Sequence, residues 1–206
     1  MNPMSDGIEG IRYDDRRRHQ WLQHPADSDW AKFCPRCGIG LDERYIEAEQ
    51  HVRKICSACG FIFYLNPKVV ACAVPRQDGR IWLRRRNIAP SWGSWTFPGG
   101  YVDLGECVPD AAIRETYEET KLAIRLDALL NLYSYVNVGI VLVVYRATVI
   151  GGVAKVSPES QEVRAFALQE IPWTELAFPS TREALADYLK LETSTAGPDL
   201  SCRSAV

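Results

Sequence analysis

The sequence predicts an α/β sandwich with a small cysteine-bearing module in front of it. Valine- and isoleucine-rich runs of strand length are mixed with two segments of helical spacing, the pattern of a sheet covered by helices. Apolar residues make up 47% of the chain, enough to bury a core of ordinary domain size. Two CxxC pairs stand ahead of the first strand-like run, in a stretch too short to build a core of its own.

The 206 residues suit one ordinary domain plus an appendage. Residues 1–30 are polar and aperiodic and read as a flexible tail, which Trp21 and Trp30 could anchor in part. The cysteine module occupies 31–66, and Asn66-Pro67 breaks the chain before a main domain at 67–192. Lys68 to Val74 and Ile81 to Arg86 read as strands joined by a hairpin turn at Asp78-Gly79. A loop rich in Pro, Ser, Gly and Trp spans Ala89 to Pro98. Pro109 to Thr120 reads as a helix, since proline is tolerated in a first turn and Asp110 complements the positive helix end. Strands are expected at Leu126 to Tyr135, Gly139 to Ile150 and Arg164 to Leu168, with a turn at Gly151-Gly152. A closing helix follows at Arg182 to Leu191, and 193–206 reads as a disordered tail.

A formal net charge of −2 argues neither for nor against a nucleic-acid partner. Arg16-Arg17-Arg18 reads as solvated surface. The N-terminus, broken by Pro3, Gly7 and Gly10, has no apolar leader segment, and the longest apolar stretch, Ile140 to Tyr145, is too short for a bilayer. A cytoplasmic protein without a membrane partner is expected. Cys72, Cys107 and Cys202 are scattered and suggest no disulfide framework.

Cys34-x-x-Cys37 and Cys56-x-x-Cys59 are separated by eighteen residues, and each is followed by glycine, Gly38 and Gly60. Glycine permits the tight turn from which two thiolates reach one metal. Four thiolates suit Zn²⁺ and close its coordination shell, so the expected role is structural. His51, between the pairs, reads as a surface residue.

From Gly100 to Leu122 the chain reads GYVDLGECVPDAAIRETYEETKL. Glu115, Glu118 and Glu119 stand at i, i+3 and i+4 and share one helix face. Their mutual repulsion would become attraction for a hard divalent cation, Mg²⁺ or Mn²⁺. Glu106 is within reach of the same place, and Pro98-Gly99-Gly100 lets backbone carbonyls come close to it. The three glutamates alone also fit a solvated face in which Arg114 pairs with Glu118.

The whole segment resembles the Nudix box, Gly, five residues, Glu, seven residues, then Arg-Glu-U-x-Glu-Glu-x-Gly-U, with U apolar. Gly100, Glu106, Arg114, Glu115, Glu118, Glu119 and Leu122 match. Thr116 at the first U and Lys121 at the second glycine depart from the pattern. The approach Gly93-Ser-Trp95-Thr-Phe97-Pro-Gly-Gly100 is also similar to the family's. The resemblance implies an α/β/α sandwich with a mixed sheet that hydrolyses a nucleoside diphosphate linked to another group. It implies that Glu115, Glu118, Glu119 and the Gly99 carbonyl hold the catalytic cations and that Arg114 orients the glutamates. The general base is then a box glutamate or one from a later loop, Glu159 or Glu162, the latter having the family's spacing to an aromatic at Phe166. Arg86 matches a basic residue that faces substrate phosphates.

A cysteine ribbon ahead of a Nudix domain resembles the FAD, ADP-ribose and NADH pyrophosphatases. The run Glu159 to Phe178 looks like the chloroplast-type FAD and ADP-ribose enzymes, and the Ser-Gln-Pro-Trp-Pro-Phe-Pro segment of the NADH enzymes does not occur. Products would be AMP and the other phosphorylated half, with Trp92, Tyr133 and Tyr135 as candidates for stacking on a base or flavin. Two alternatives stand beside this: a hydrolase removing an NAD or FAD cap from RNA, and a non-catalytic regulator binding a ligand or nucleic acid. A homodimer is expected by analogy with ribbon-bearing relatives.

Overall fold

The computed structural model describes residues 31–135 and 138–193. The expected N-terminal tail, with Trp21 and Trp30, and the C-terminal tail after Thr193, with Cys202, lie outside the described residues.

The module ahead of the main domain is a three-stranded antiparallel sheet, β1 (Leu41–Ile46), β2 (His51–Cys56) and β3 (Ile62–Phe63), in that order. Its outward surface is apolar in places, with Phe33, Tyr45 and Val52 exposed, so these strands bury little of their own.

The main sheet is built from β4 (Lys68–Gln77), β5 (Arg80–Arg86), β8 (Leu122–Tyr135), β9 (Ile140–Gly152) and β10 (Ser160–Ala167), in the order β10-β5-β4-β9-β8. Short strands β6 (Trp95–Thr96) and β7 (Gly99–Tyr101) pair with β5 and β4. The sheet is mixed: β4 and β9 run parallel, and its other pairings are antiparallel. Asp78 and Gly79 both take positive φ, 49° and 75°, the hairpin geometry that Asp-Gly favours.

One helix covers each face. Helix α1 (Val108–Thr120) meets the sheet through small residues, with Ala71, Ala111 and Ala112 completely buried. Helix α2 (Pro179–Thr193) presses Ala184, Leu185 and Tyr188 onto Val74, Ile81, Leu83, Tyr133 and Phe166. This is the α/β/α sandwich expected from the sequence. Thr116, which stands where an apolar residue was expected, is fully buried and donates its hydroxyl to the Ala112 carbonyl at 2.7 Å. Its polar atom is thus satisfied within the helix, and the methyl faces the core.

Three expectations are corrected. Gly151 and Gly152 do not turn the chain; they lie in β9 opposite Ala123 and Leu122. A Cβ on Gly152 would overlap the Lys121 carbonyl oxygen, so the glycine permits close approach of two strands. Strand β8 begins at Leu122, directly after the helix. Strand β10 begins at Ser160, with a register shift between Ser160 and Glu162. Among the described residues no helix is long and apolar enough to cross a membrane.

Lys121 takes the left-handed conformation, φ 62°, that glycine holds in the box pattern, and its N–H donates to the Tyr117 carbonyl at 2.8 Å. The helix therefore ends as the pattern requires, at a backbone cost of about 1 kcal/mol for a residue with a Cβ. The Lys121 ammonium lies 5.3 Å from the centre of the Tyr117 ring, a contact that offsets part of that cost. Lys121→Gly is expected to raise stability by roughly 0.5–1 kcal/mol. Urea unfolding midpoints of the two proteins check this, and an equal or lower midpoint for the variant would contradict it.

Candidate active site and metal centre

Each CxxC pair folds as a knuckle with the same backbone bonds. Cys34 N–H donates to Ile39 O and Gly38 N–H to Cys34 O; Cys56 N–H donates to Phe61 O and Gly60 N–H to Cys56 O. Gly38 and Gly60 have φ of 75° and 68°, which explains their place after each pair. The knuckles face each other with Sγ···Sγ separations of 3.4, 3.6 and 3.7 Å. A tetrahedral zinc with bonds of ~2.3 Å sets sulfurs about 3.8 Å apart. The four sulfurs lie within 4.8 Å of one another, so the donor set fits zinc in both chemistry and spacing. The backbone N–H groups of Cys59 and Ala58 bring the Cys56 thiol down to about 7, whereas Cys37, although the Ile39 N–H draws it down, is pushed up by its contact with the Cys56 sulfur, so the two share a proton rather than both ionising. His51 is exposed and outside this group.

The second centre lies where α1 meets β7. Arg114 organises it: Nε and Nη2 grip both oxygens of Glu106 at 2.7 and 2.9 Å, Nη1 donates to Glu115 at 2.8 Å and to Glu118 at 3.2 Å, and Nη2 also donates to the Tyr101 carbonyl at 3.1 Å. This two-pronged grip holds the Glu106 carboxyl below its ordinary range. Glu106 thus serves the cluster through Arg114. Gly100 lies directly against the Glu115 carboxylate, in a space that a Cβ would fill.

Glu119 is 4% exposed. One of its oxygens accepts the Gly99 N–H at 2.9 Å, and the other is paired with Nη2 of Arg84. Burial nevertheless pushes Glu119 up to about 7, and burial also raises Glu115. The negative charge of Glu159 adds to both shifts, so its carboxylate belongs to the same electrostatic neighbourhood. Four glutamates share two arginines here, and the hard oxygen donors left over are of the kind a divalent cation takes.

Glu162 is placed elsewhere. Residues 162, 164 and 166 share the face that packs on α2: Phe166 lies in that core, and Glu162 pairs with Arg164 at 3.6 Å. The register shift before Glu162 is the reason, because one extra residue reverses the alternation of faces. Ser160, on the other side of the shift, donates its hydroxyl to the Glu119 carbonyl at 3.1 Å.

Two expected substrate contacts are also placed differently. Tyr135 is 5% exposed, and its hydroxyl donates to Glu183 of α2 at 3.1 Å, which makes it a core residue. Arg86 is buried; its Nε donates to the Pro90 carbonyl at 2.8 Å, and its guanidinium lies 5.0 Å from the centre of the Phe178 ring. It closes the loop before β6. Trp92 stands on that loop, 67% exposed. Sequence reasoning missed Arg84, which holds Glu119. Strand alternation is the signal: Ile81 and Leu83 face α2, so Arg84 must face α1.

The NUDIX domain model matches residues 65–188, and the Nudix N-terminal model, a zinc ribbon, matches residues 32–65. The chain belongs to the Nudix hydrolase family. It is 33% identical over 131 residues to the ADP-ribose pyrophosphatase of Methanocaldococcus jannaschii, covering 62% of this chain and 76% of that one. It is 30% identical over 96 residues to the NAD-capped RNA hydrolase NudC of Edwardsiella ictaluri, covering 46% of this chain and 35% of that one. The match therefore spans about a third of the NudC protein. A solved Nudix hydrolase from Nitrosomonas europaea superposes with a TM-score of 0.79 at 32% identity, covering 84% of this chain and 99% of that one.

Protein purified without added zinc is expected to carry one zinc per chain by elemental analysis, and Cys56→Ser is expected to lower its melting temperature while leaving the turnover of the folded fraction within about twofold. Well-folded protein with a zinc content near zero would refute the assignment.

Proposed function

We propose that this hydrolase cuts the diphosphate of an adenine-containing nucleotide, with ADP-ribose and FAD ahead of NAD(H), releasing AMP and the other phosphorylated half. The observation that carries the reading is the pair of desolvated carboxylates, Glu115 and Glu119, set against the glycines of β7 with Glu118 beside them. Glu115, Glu118, Glu119 and the Gly99 carbonyl would hold Mg²⁺ or Mn²⁺. Bound there, the cations would neutralise the diphosphate and acidify a water. Arg114 keeps Glu115 and Glu118 in place, and the Gly99 N–H and Arg84 do the same for Glu119. Glu159 is the proton acceptor: the water oxygen bonds to one phosphorus, its proton passes to Glu159, and the bridging P–O bond breaks with its electrons on the leaving phosphate. Glu162, on the opposite face, has no part in it.

The adenine preference is supported by the likeness of Glu159 to Phe178 to FAD and ADP-ribose pyrophosphatases and by the activity for which the M. jannaschii relative is named. Trp92 offers an exposed aromatic face for a base. A second reading, removal of an NAD cap from RNA, is supported by the match to NudC and uses the same chemistry. The intact set of box glutamates speaks against a non-catalytic regulator.

The test is kcat/KM for ADP-ribose, FAD, NADH, an NAD-capped RNA and a nucleoside triphosphate, read as AMP from the first three, as released nicotinamide mononucleotide from the capped RNA and as nucleoside monophosphate from the triphosphate. ADP-ribose or FAD is expected to lead, activity is expected to need Mg²⁺ or Mn²⁺, and Glu118→Gln and Glu119→Gln are each expected to lose about 10²-fold or more in kcat. A preference beyond about a hundredfold for the triphosphate, ~2.7 kcal/mol, would overturn the substrate reading. Near wild-type rates in both variants would overturn the site.

We also propose that the chain works as a cytoplasmic homodimer. Light scattering at micromolar concentration should then give twice the 23.2 kDa chain mass, and a monomer mass would contradict it.

A further inference from the structure

Arg84 is an unusual core residue. It is 2% exposed, on a strand flanked by β10 and β6, with Val163 and Thr96 as its cross-strand partners. Taking a guanidinium out of water costs several kcal/mol unless its donors are matched. Here two of the three nitrogens are matched and one is not. Nη2 pairs with Glu119, Nη1 donates to the Glu159 carbonyl at 2.9 Å, and Nε is the buried side-chain donor that finds no partner among the described residues. Neutralising Glu119 alone would not need a second contact, nor a planar fork.

The second contact reaches the segment that carries Glu159. The Glu159 carbonyl accepts from the Asn87 N–H at 2.8 Å as well, the Asn87 side chain donates to the Pro158 carbonyl at 2.9 Å, and Ser160 is tied to the Glu119 carbonyl. The segment is held by its main chain, while the Glu159 residue is exposed and its charge adds to the upward shifts of Glu115 and Glu119. Arg84 is the one side chain in this set that touches both a box carboxylate and the Glu159 backbone.

We propose that Arg84 is a positioning residue that locks Glu119 and the Glu159 segment into one unit, and so sets where the Glu159 carboxylate stands relative to the box glutamates. This rests on the hydrolytic reading of the cluster given above. Arginine is required because its fork spans two acceptors that a lysine ammonium on one flexible stem does not hold together.

The test uses the zinc-loaded full chain and compares Arg84→Met, Arg84→Lys, Glu159→Gln, Arg84→Met/Glu159→Gln and, as a control on the opposite face, Arg85→Met. With ADP-ribose and Mn²⁺, Arg84→Met is expected to lose about 10²-fold in kcat with KM changed less than about threefold, since misplacing a group by an ångström has that scale. Arg84→Lys should keep the melting temperature without recovering kcat, and Arg85→Met should stay within about twofold of wild type. The double variant should fall well short of the product of the two single losses, because part of what Arg84 does is to place Glu159, while its hold on Glu119 is lost in Arg84→Met alone. Hydrogen exchange at the amides of Ser157, Glu159, Ser160 and Gln161 should be at least about tenfold faster in Arg84→Met. Losses that multiply in the double variant, full rescue by lysine, or unchanged exchange would each overturn the proposal. If Arg84→Met fails to fold, Arg84→Lys and its double with Glu159→Gln give the same readings. If the wild type cuts no diphosphate, the function proposed above fails, and the exchange comparison alone decides whether Arg84 holds the segment.

Discussion

Glu115 and Glu119 stand on α1 where the helix meets the sheet and water reaches them poorly, and much of the main domain answers that fact. Repulsion between like charges at i, i+4 costs only a few tenths of a kcal/mol on an open helix. Taking a carboxylate out of water costs several. Desolvation therefore outweighs the repulsion, and it explains the direction in which both carboxyls shift. Two arginines on different elements offset it, Arg114 on the helix and Arg84 on β5. Neither neutralises the cluster fully, which leaves a place for a cation.

The small residues around this cluster follow from it. Ala111 and Ala112 let α1 lie close to Ala71, and Gly100 leaves room for the Glu115 carboxylate. Larger side chains there would lift the helix and separate Glu119 from the Gly99 N–H. The ribbon solves a different problem. It leaves Phe33, Tyr45 and Val52 exposed, and four converging cysteines that could hold a metal stand where a larger domain has a core.

The features legible in the sequence were those set by local rules. The Asp-Gly hairpin, the glycines after each CxxC pair and the face shared by the three glutamates each follow from one backbone conformation or one periodicity. Lys121 also obeyed the pattern's geometry although its side chain did not match. What could not be read were features set by tertiary partners. The extra residue before Glu162 reversed its face, so spacing to Phe166 misled, while the Glu159 main chain is tied to Arg84, the partner of Glu119. Tyr135 is aromatic and near the end of a strand, yet Glu183 on α2 takes its hydroxyl. Gly151-Gly152 reads as a turn until Leu122 and Ala123 are seen beside it. Arg84 was hidden in a run of three arginines whose faces only the sheet distinguishes.

The central claim, that the buried glutamates of α1 form a divalent-cation site, is tested most directly by binding rather than by turnover. Electron paramagnetic resonance of Mn²⁺ titrated into the zinc-loaded chain separates free from bound ion. Saturable binding is expected in the wild type and its loss in Glu115→Gln/Glu119→Gln, with the fold and the zinc content unchanged. Equal Mn²⁺ binding in that double variant would contradict the claim.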